Sequence, residues 1–168
     1  EMKACLAGLL ILKRGEITDN KLKKWILKLF DFDGNFKWEK EISGDSNSWE
    51  PQLYVGSKNV FVVYPSNGSL SLGCYDYKGN LVGEYIETFD KKPYIFRVAT
   101  EEDCFYFSKY NNLKQITQNS MKLERELVFD SDIRGVYLDS EFVYLWRKDS
   151  TTLNNLSNLS LDVIKRDF

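Results

Sequence analysis

The feature that most constrains the fold of this chain is an internal repeat. The segment Phe30–Glu39 (FDFDGNFKWE) aligns with Tyr75–Glu84 (YDYKGNLVGE), so that Asp, Gly, Asn, Glu and the aromatic alternation coincide. Weaker copies run over Gln118–Glu124 and Asn158–Asp162. The acidic position then falls at residues 39, 84, 124 and 162, at steps of 45, 40 and 38. A period of this length is typical of proteins built from repeated supersecondary units.

Each repeat has the pattern of four short strands joined by polar turns. Alternating β-branched and aromatic residues predict paired strands over Leu53–Tyr64, Ile95–Phe107 and Val136–Trp146. Gly34 and Gly79 predict hairpin turns, because glycine tolerates a positive φ. Four strands every ~40–45 residues are typical of β-propeller blades, which bury their faces by stacking. We therefore predict an all-β fold, a β-propeller-like array of about four four-stranded antiparallel blades.

The repeats lie near residues 1–44, 45–88, 89–128 and 129–168. A chain of 168 residues is within the usual size of one domain, so we expect a single propeller-type domain over 1–168.

The strand patterns at the two ends of the array do not decide whether the blades close into a ring. Ala7–Leu12 supplies one clear strand, and Lys3–Leu6 is the only candidate for the innermost strand of the first blade, which we expect to be incomplete. Leu161–Phe168 is interpreted as the outer strand of the last blade. Four blades can close alone, belong to a larger propeller, or be completed by self-association, because an unclosed array exposes apolar faces and strand edges.

The segment Leu22–Phe30 has two interpretations. Its apolar residues fit the i, i+3, i+4 spacing of a basic amphipathic helix, which would favour binding to a membrane surface or a partner groove. Its alignment with Leu70, Leu72 and Cys74 of the next repeat favours a strand, which is our prediction.

The segment Phe30–Ile42 (FDFDGNFKWEKEI) resembles the repeat of quinoprotein-like (PQQ-repeat) β-propellers. In that repeat an aromatic strand ends in Asp, a turn with Gly follows, and a Trp opens the outer strand, the place that Trp38 takes here. The same place holds Gly83, Leu123 and Leu161 in the other copies. The resemblance implies the fold. It transfers no catalytic residue, and we predict no cofactor.

The composition excludes several classes of chemistry. The chain has no histidine, which excludes Ser-His-Asp and Cys-His nucleophile systems and histidine metal sites. Its net charge of −2 argues against a dedicated nucleic-acid-binding protein. The apolar run Met2–Leu12 is shorter than the ~20 residues of a membrane span. Three cysteines lie far apart, which predicts free thiols in a reducing compartment and a cytoplasmic protein.

Two groups of acidic residues could suggest a site, and we predict a structural role for both. The turn Asp31–Asn35 groups oxygen atoms as calcium loops do, but it lacks EF-hand spacing and the next copy replaces Asp33 with Lys78. The repeated acids recur at one outer-strand position per blade, which places them around the periphery and not in a paired catalytic site. These acids are Glu39, Glu84, Glu124 and Asp162.

The loops before the inner strands are the predicted functional face. They contain Trp49–Pro51, Asp90–Tyr94 and Ser131–Arg134. We predict a non-catalytic protein-interaction or structural scaffold module that binds another protein or its own copy. The alternative is a carbohydrate-binding or glycoside-processing propeller with a site on one axial face. The candidate binding residues are Trp49, Glu50, Tyr54, Lys91, Lys92, Tyr94, Asp132 and Arg134.

Overall fold

The computed structural model describes residues 1–17, 23–44, 50–66, 69–88, 96–101, 104–117, 120–148 and 159–166. These residues form fifteen strands in four antiparallel sheets, and the described part of the chain contains no helix. The all-β, repeated-sheet architecture predicted from the period is therefore confirmed.

Consecutive strands are neighbours in every sheet. Sheet 1 contains β1 (Met2–Cys5), β2 (Gly8–Ile17), β3 (Lys23–Phe30) and β4 (Phe36–Gly44). Sheet 2 contains β5 (Gln52–Val55), β6 (Asn59–Ser66), β7 (Ser69–Asp76) and β8 (Leu81–Thr88). Sheet 3 contains β9 (Phe96–Glu101), β10 (Cys104–Lys109), β11 (Asn112–Thr117) and β12 (Lys122–Val128). Sheet 4 contains β13 (Asp132–Leu138), β14 (Phe142–Lys148) and β15 (Leu159–Lys165).

Sheet 1 resolves two open questions about the first repeat. It has all four strands, because Met2–Cys5 pairs along β2 with Lys3 opposite Leu10, so the expectation of an incomplete first blade is wrong. The segment that could have been an amphipathic helix is β3, in which Leu27 and Leu29 are buried on one face. The segment is therefore a strand and not a helix, because β2 and β4 pair with it on both sides and supply partners for its backbone hydrogen bonds.

The last repeat differs from the prediction. Leu159–Lys165 pairs directly with β14, Val163 opposite Tyr144, and so is the third strand, at the edge of the described sheet, where the alignment with β4, β8 and β12 predicts a fourth strand. Asp162 is therefore not equivalent to the acids on β4, β8 and β12. A five-residue resemblance could not separate the two places, because third and fourth strands share the same alternating pattern.

The chain divides into two compact units, Glu1–Lys92 with Asn119–Met121, and Pro93–Gln118 with Lys122–Phe168. In the first unit, sheets 1 and 2 bury one apolar core that includes Leu10, Leu27, Leu29, Leu53, Val60 and Val62. In the second unit, sheets 3 and 4 bury Tyr106, Leu113, Ile133, Val143 and Leu145. Each sheet thus covers the apolar face of a neighbour. The single domain over 1–168 stays a prediction.

Candidate functional surfaces

The structure describes four of the eight residues predicted for the axial face. Glu50 is exposed just before β5, and Tyr54 is half-buried on β5, where its hydroxyl donates to Gln52 Oε1 at 2.5 Å. Asp132 and Arg134 lie two residues apart on β13, with Arg134 Nη2 3.5 Å from Asp132 Oδ2. Trp49, Lys91, Lys92 and Tyr94 lie outside the described residues.

An arginine cluster that the sequence reasoning missed lies at the start of sheet 4. Arg147 donates from Nη2 to Asp162 Oδ1 at 3.1 Å, and its Nε and Nη1 contact Asp162 and Asp130. Its guanidinium lies 5.2 Å from the ring centre of Phe129, and its side chain is 16% exposed. The hydrogen bond with Asp162 raises the pKa of Arg147. The cluster ties the segment before β13 to β14 and β15, so its role is structural.

The repeated acids have structural partners in their own sheets. Glu39 on β4 lies 2.7 Å from the ammonium of Lys28, which lowers the pKa of Glu39. Glu84 on β8 accepts a hydrogen bond from the Tyr64 hydroxyl at 2.5 Å, and Glu124 accepts one from Gln115 at 3.2 Å. The contacts of Glu39 and Glu124 join neighbouring strands, and that of Glu84 reaches across β7 to β6, so each outer strand is held to its sheet.

Two groups of sheet 2 that could act as nucleophiles are held in their protonated forms. Burial, reinforced by the hydrogen bond to Glu84, raises the pKa of the Tyr64 phenol far above its usual range. Burial raises the pKa of the Cys74 thiol to about 12, because the apolar surroundings disfavour the thiolate. Both groups are therefore neutral near pH 7 and poorly suited to covalent catalysis.

The turn Asp31–Asn35 is a hairpin turn whose oxygens are used locally. Asp31 Oδ1 accepts hydrogen bonds from the backbone N–H groups of Asp33 and Asn35 at 3.0 and 2.8 Å, and Oδ2 accepts one from the Asn35 side chain at 3.1 Å. Lys37 Nζ lies 2.7 Å from Oδ2 and lowers the pKa of Asp31 well below its usual range. Among the described residues, no group of three or more acidic or cysteine side chains is placed to hold a metal ion.

The turn Asp76–Asn80 repeats this geometry and is covered by a tryptophan. Asp76 Oδ1 accepts from Lys78 and Asn80 N–H at 2.9 and 2.8 Å, and Gly79 has φ +86°. The Trp38 ring lies over Gly79, where a Cβ would be 2.8 Å from Trp38 Cδ2. Trp38 Nε1 donates to the carbonyl of Tyr77 at 3.0 Å. The tryptophan of the repeat therefore joins sheet 1 to sheet 2.

No residue in the described part of the chain covers the equivalent glycine of the first repeat. Gly34 has φ +84°, and a Cβ added there would meet none of the described atoms within 4 Å. Phe32, which occupies the place of Tyr77, is 75% exposed. The turn borders an apolar hollow of about 330 Å³, lined by Leu9, Ile11, Phe30, Asp31, Phe32 and Gly34. We call this hollow, with the turn that borders it, the open socket.

Large apolar side chains are also exposed on other strands. Leu81 and Ile86 are exposed on β8 of sheet 2. Four large apolar side chains are exposed on the three strands of sheet 4: Tyr137, Trp146, Leu161 and Val163. On sheet 4 strand pairing brings these side chains together, with Trp146 opposite Leu161, and contiguous exposed apolar surface marks interaction sites.

Comparison with solved structures identifies the fold. The computationally designed Ika4 protein matches with a TM-score of 0.54 at 11% identity over 97% of this chain and 92% of that chain. The designed Ika8 protein matches with 0.53 at 12% identity, over 92% of this chain and 44% of that one. BamB from Moraxella catarrhalis matches with 0.50 at 11% identity, over 79% of this chain and 39% of that one.

These neighbours include designed propellers and a PQQ-like β-propeller, so the resemblance predicted from Phe30–Ile42 is confirmed at the level of the fold. The chain spans less than half the length of Ika8 and BamB. No protein-family model and no curated sequence matches it. Within the described ranges, no helix has the length and apolar character needed to cross a membrane.

Proposed function

We propose that this chain is a non-catalytic interaction or scaffold module that presents rigid propeller sheets to a protein partner. The observation that carries the proposal is a contrast between polar and apolar groups. The carboxylates of Asp31, Asp76 and Asp139 each accept backbone hydrogen bonds within turns, whereas Leu81 and Ile86 lie exposed on an outer strand. Polar groups so engaged hold the scaffold together, and exposed apolar groups gain free energy when a partner covers them.

Each of the two units supplies part of the proposed specificity. In the first unit Tyr54 offers a half-buried aromatic ring on β5 and Glu50 an exposed carboxylate just before it, and in the second unit Arg134 and Asp132 offer a charged pair on β13. Aromatic and arginine side chains contribute strongly to protein interfaces, because each combines a large contact area with directed hydrogen bonds. The three free cysteines support a reducing, cytoplasmic location as part of the proposal.

The proposal is tested by passing a cell extract over the immobilised chain and identifying the proteins that it retains. Proteins from a cell extract that bind wild type should be lost from Arg134→Glu and Tyr54→Ala, by roughly tenfold or more. Lys78→Glu, which changes an exposed charge in a hairpin turn, is the matched control and should retain the same proteins.

An assay for the hydrolysis of a panel of chromogenic glycosides tests whether the chain is instead a glycoside-processing protein. Hydrolysis by the wild-type chain that disappears in Glu84→Gln or Glu39→Gln would contradict the proposal. It would show that the outer-strand acids perform chemistry.

A further inference from the structure

We infer that the open socket of sheet 1 receives Trp146 from a second copy of this chain, so that sheet 4 of one copy covers sheet 1 of the next. The inference deepens the proposed interaction module by naming its partner surface, and it rests on that proposed function.

The covered turn of sheet 2 shows what the open socket can accept. Trp38 places its ring against Gly79 and donates its indole N–H to the carbonyl two residues earlier, that of Tyr77. The socket has the same Asp side-chain hydrogen bonds and nearly the same glycine φ. The carbonyl of Phe32 is the equivalent acceptor. An indole is therefore the side chain that this geometry fits, because it supplies both a flat ring and one N–H donor.

The surroundings of the socket favour a sheet as the source of that indole. Leu9, Ile11 and Phe30 line one apolar face of sheet 1 and are only half-buried, and Phe36 beside them is exposed. The opposite face of the same sheet buries Leu10 and Leu12 against sheet 2. A second sheet packed on the half-buried face would remove this apolar area from water as sheet 2 does on the other side.

The chain itself carries a suitable donor. Of the tryptophans that the structure describes, Trp25 is buried and Trp38 covers Gly79, whereas Trp146 packs one side of its ring on Gly135 of its own sheet and is still 39% exposed. Trp146 lies opposite Leu161, which is 54% exposed, and Tyr137 and Val163 are exposed on the same sheet. These side chains lie on the face of sheet 4 opposite Val143 and Leu145, and an exposed tryptophan among apolar side chains is a typical anchor of a protein interface.

The size of the fold is compatible with two copies in one assembly. The match to Ika8 uses 92% of this chain but only 44% of that chain, so the same fold exists at about twice the length. A head-to-tail contact that closes after two copies gives a symmetric dimer, whereas one that does not close gives an open filament.

The experiment measures mass in solution by sedimentation equilibrium and multi-angle light scattering across a range of concentrations. Wild type should have twice the 19.7 kDa mass of the chain.

Phe32→Glu should abolish the dimer, because the charge would enter the socket, and its 75% exposure makes a folding defect a minor concern. Trp146→Ala should also abolish it, and Leu161→Glu tests the same surface independently. Val128→Glu changes an exposed apolar residue on sheet 3 and should leave the dimer intact.

A mixing experiment tests the head-to-tail arrangement. Phe32→Glu retains a normal sheet 4, and Trp146→Ala retains a normal socket, so an equimolar mixture should regain a dimer through one intact contact. A mixture that stays monomeric would overturn the arrangement. So would wild type that is monomeric at every concentration, or a dimer that survives both substitutions. A monomer that still retains a partner through Arg134 would overturn this inference and leave the proposed function standing.

Discussion

The turns at Asp31–Asn35 and Asp76–Asn80 have the same hydrogen bonds and different surroundings. In both, the first Asp accepts two backbone N–H groups, and the glycine has a φ near +85°. Trp38 covers the second turn, while the first borders an open hollow. The comparison shows that five residues determine the turn, and that a neighbouring sheet determines whether the turn becomes a joint between blades.

The largest expected effect comes from removing the covering side chain. Trp38→Ala should lower the free energy of unfolding by about 3 kcal/mol, because it removes a large ring from Gly79 and the hydrogen bond to the Tyr77 carbonyl. Urea unfolding followed by far-UV circular dichroism measures the change. Val82→Ala, an exposed side chain on β8, is the control and should change stability by less than about 0.5 kcal/mol. Equal effects of the two substitutions would show that the Trp38 contact contributes nothing.

Alanine substitutions at Gly34 and Gly79 distinguish the cost of backbone strain from the cost of a clash with the Trp38 ring. Gly34→Ala should cost about 1 kcal/mol, because an L side chain is strained at φ +84°. Gly79→Ala adds a Cβ that would lie 2.8 Å from the Trp38 ring, and should cost about 2–3 kcal/mol. The urea midpoints of both variants, compared at a concentration low enough to keep the chain monomeric, test the difference. A Gly34→Ala variant as unstable as Gly79→Ala would mean that the first turn is covered too.

The smallest expected effect is the pH dependence of the turn aspartates. Hydrogen bonds from Asn80 lower the pKa of Asp76 in the folded chain, below the ordinary value of 3.8. A lowered folded pKa stabilises the fold above the unfolded pKa, and this contribution is lost as the pH falls through the folded pKa. The melting temperature of Asp76→Asn should therefore fall less steeply than that of wild type between about pH 4 and pH 2. Asp31→Asn should behave alike, since its pKa is lowered as well.

The matched control for these variants is Asp33→Asn. It removes a carboxylate from the same turn and leaves the hydrogen bonds of Asp31 in place. Its melting temperature should follow the wild-type dependence on pH. Parallel curves for wild type, Asp31→Asn and Asp76→Asn would contradict a structural role for the two carboxylates.

The sequence predicted much of the fold because its signals are local. The alternation of apolar residues identified β3 as a strand, and the shared Asp, Gly and Asn identified two hairpin turns of one geometry. The position of Leu159–Lys165 was predicted wrongly, because a strand pattern gives a strand and not its place in the sheet. The arginine cluster was missed for a related reason. Asp162 lies 15 positions from Arg147 in the sequence, and only the pairing of β14 with β15 brings the two together.

The candidate face was predictable only in part. The structure places Arg134 Nη2 3.5 Å from Asp132 Oδ2 on β13, where the pairing with β14 shifts register between Ile133 and Gly135. Strand alternation does not predict that contact, because the shift interrupts the period of two. The open socket had no signal in the sequence, because Gly34 and Gly79 lie in nearly identical segments.

By itself the sequence determined the period of the chain, its strands and the conformation of its turns, since these depend on residues within a few positions of one another. Tertiary structure alone decided that Trp38 covers Gly79, that none of the described side chains covers Gly34 in the same way, and that Asp162 binds Arg147. Those contacts join residues 15 to 41 positions apart, and their geometry depends on how strands pair and sheets pack.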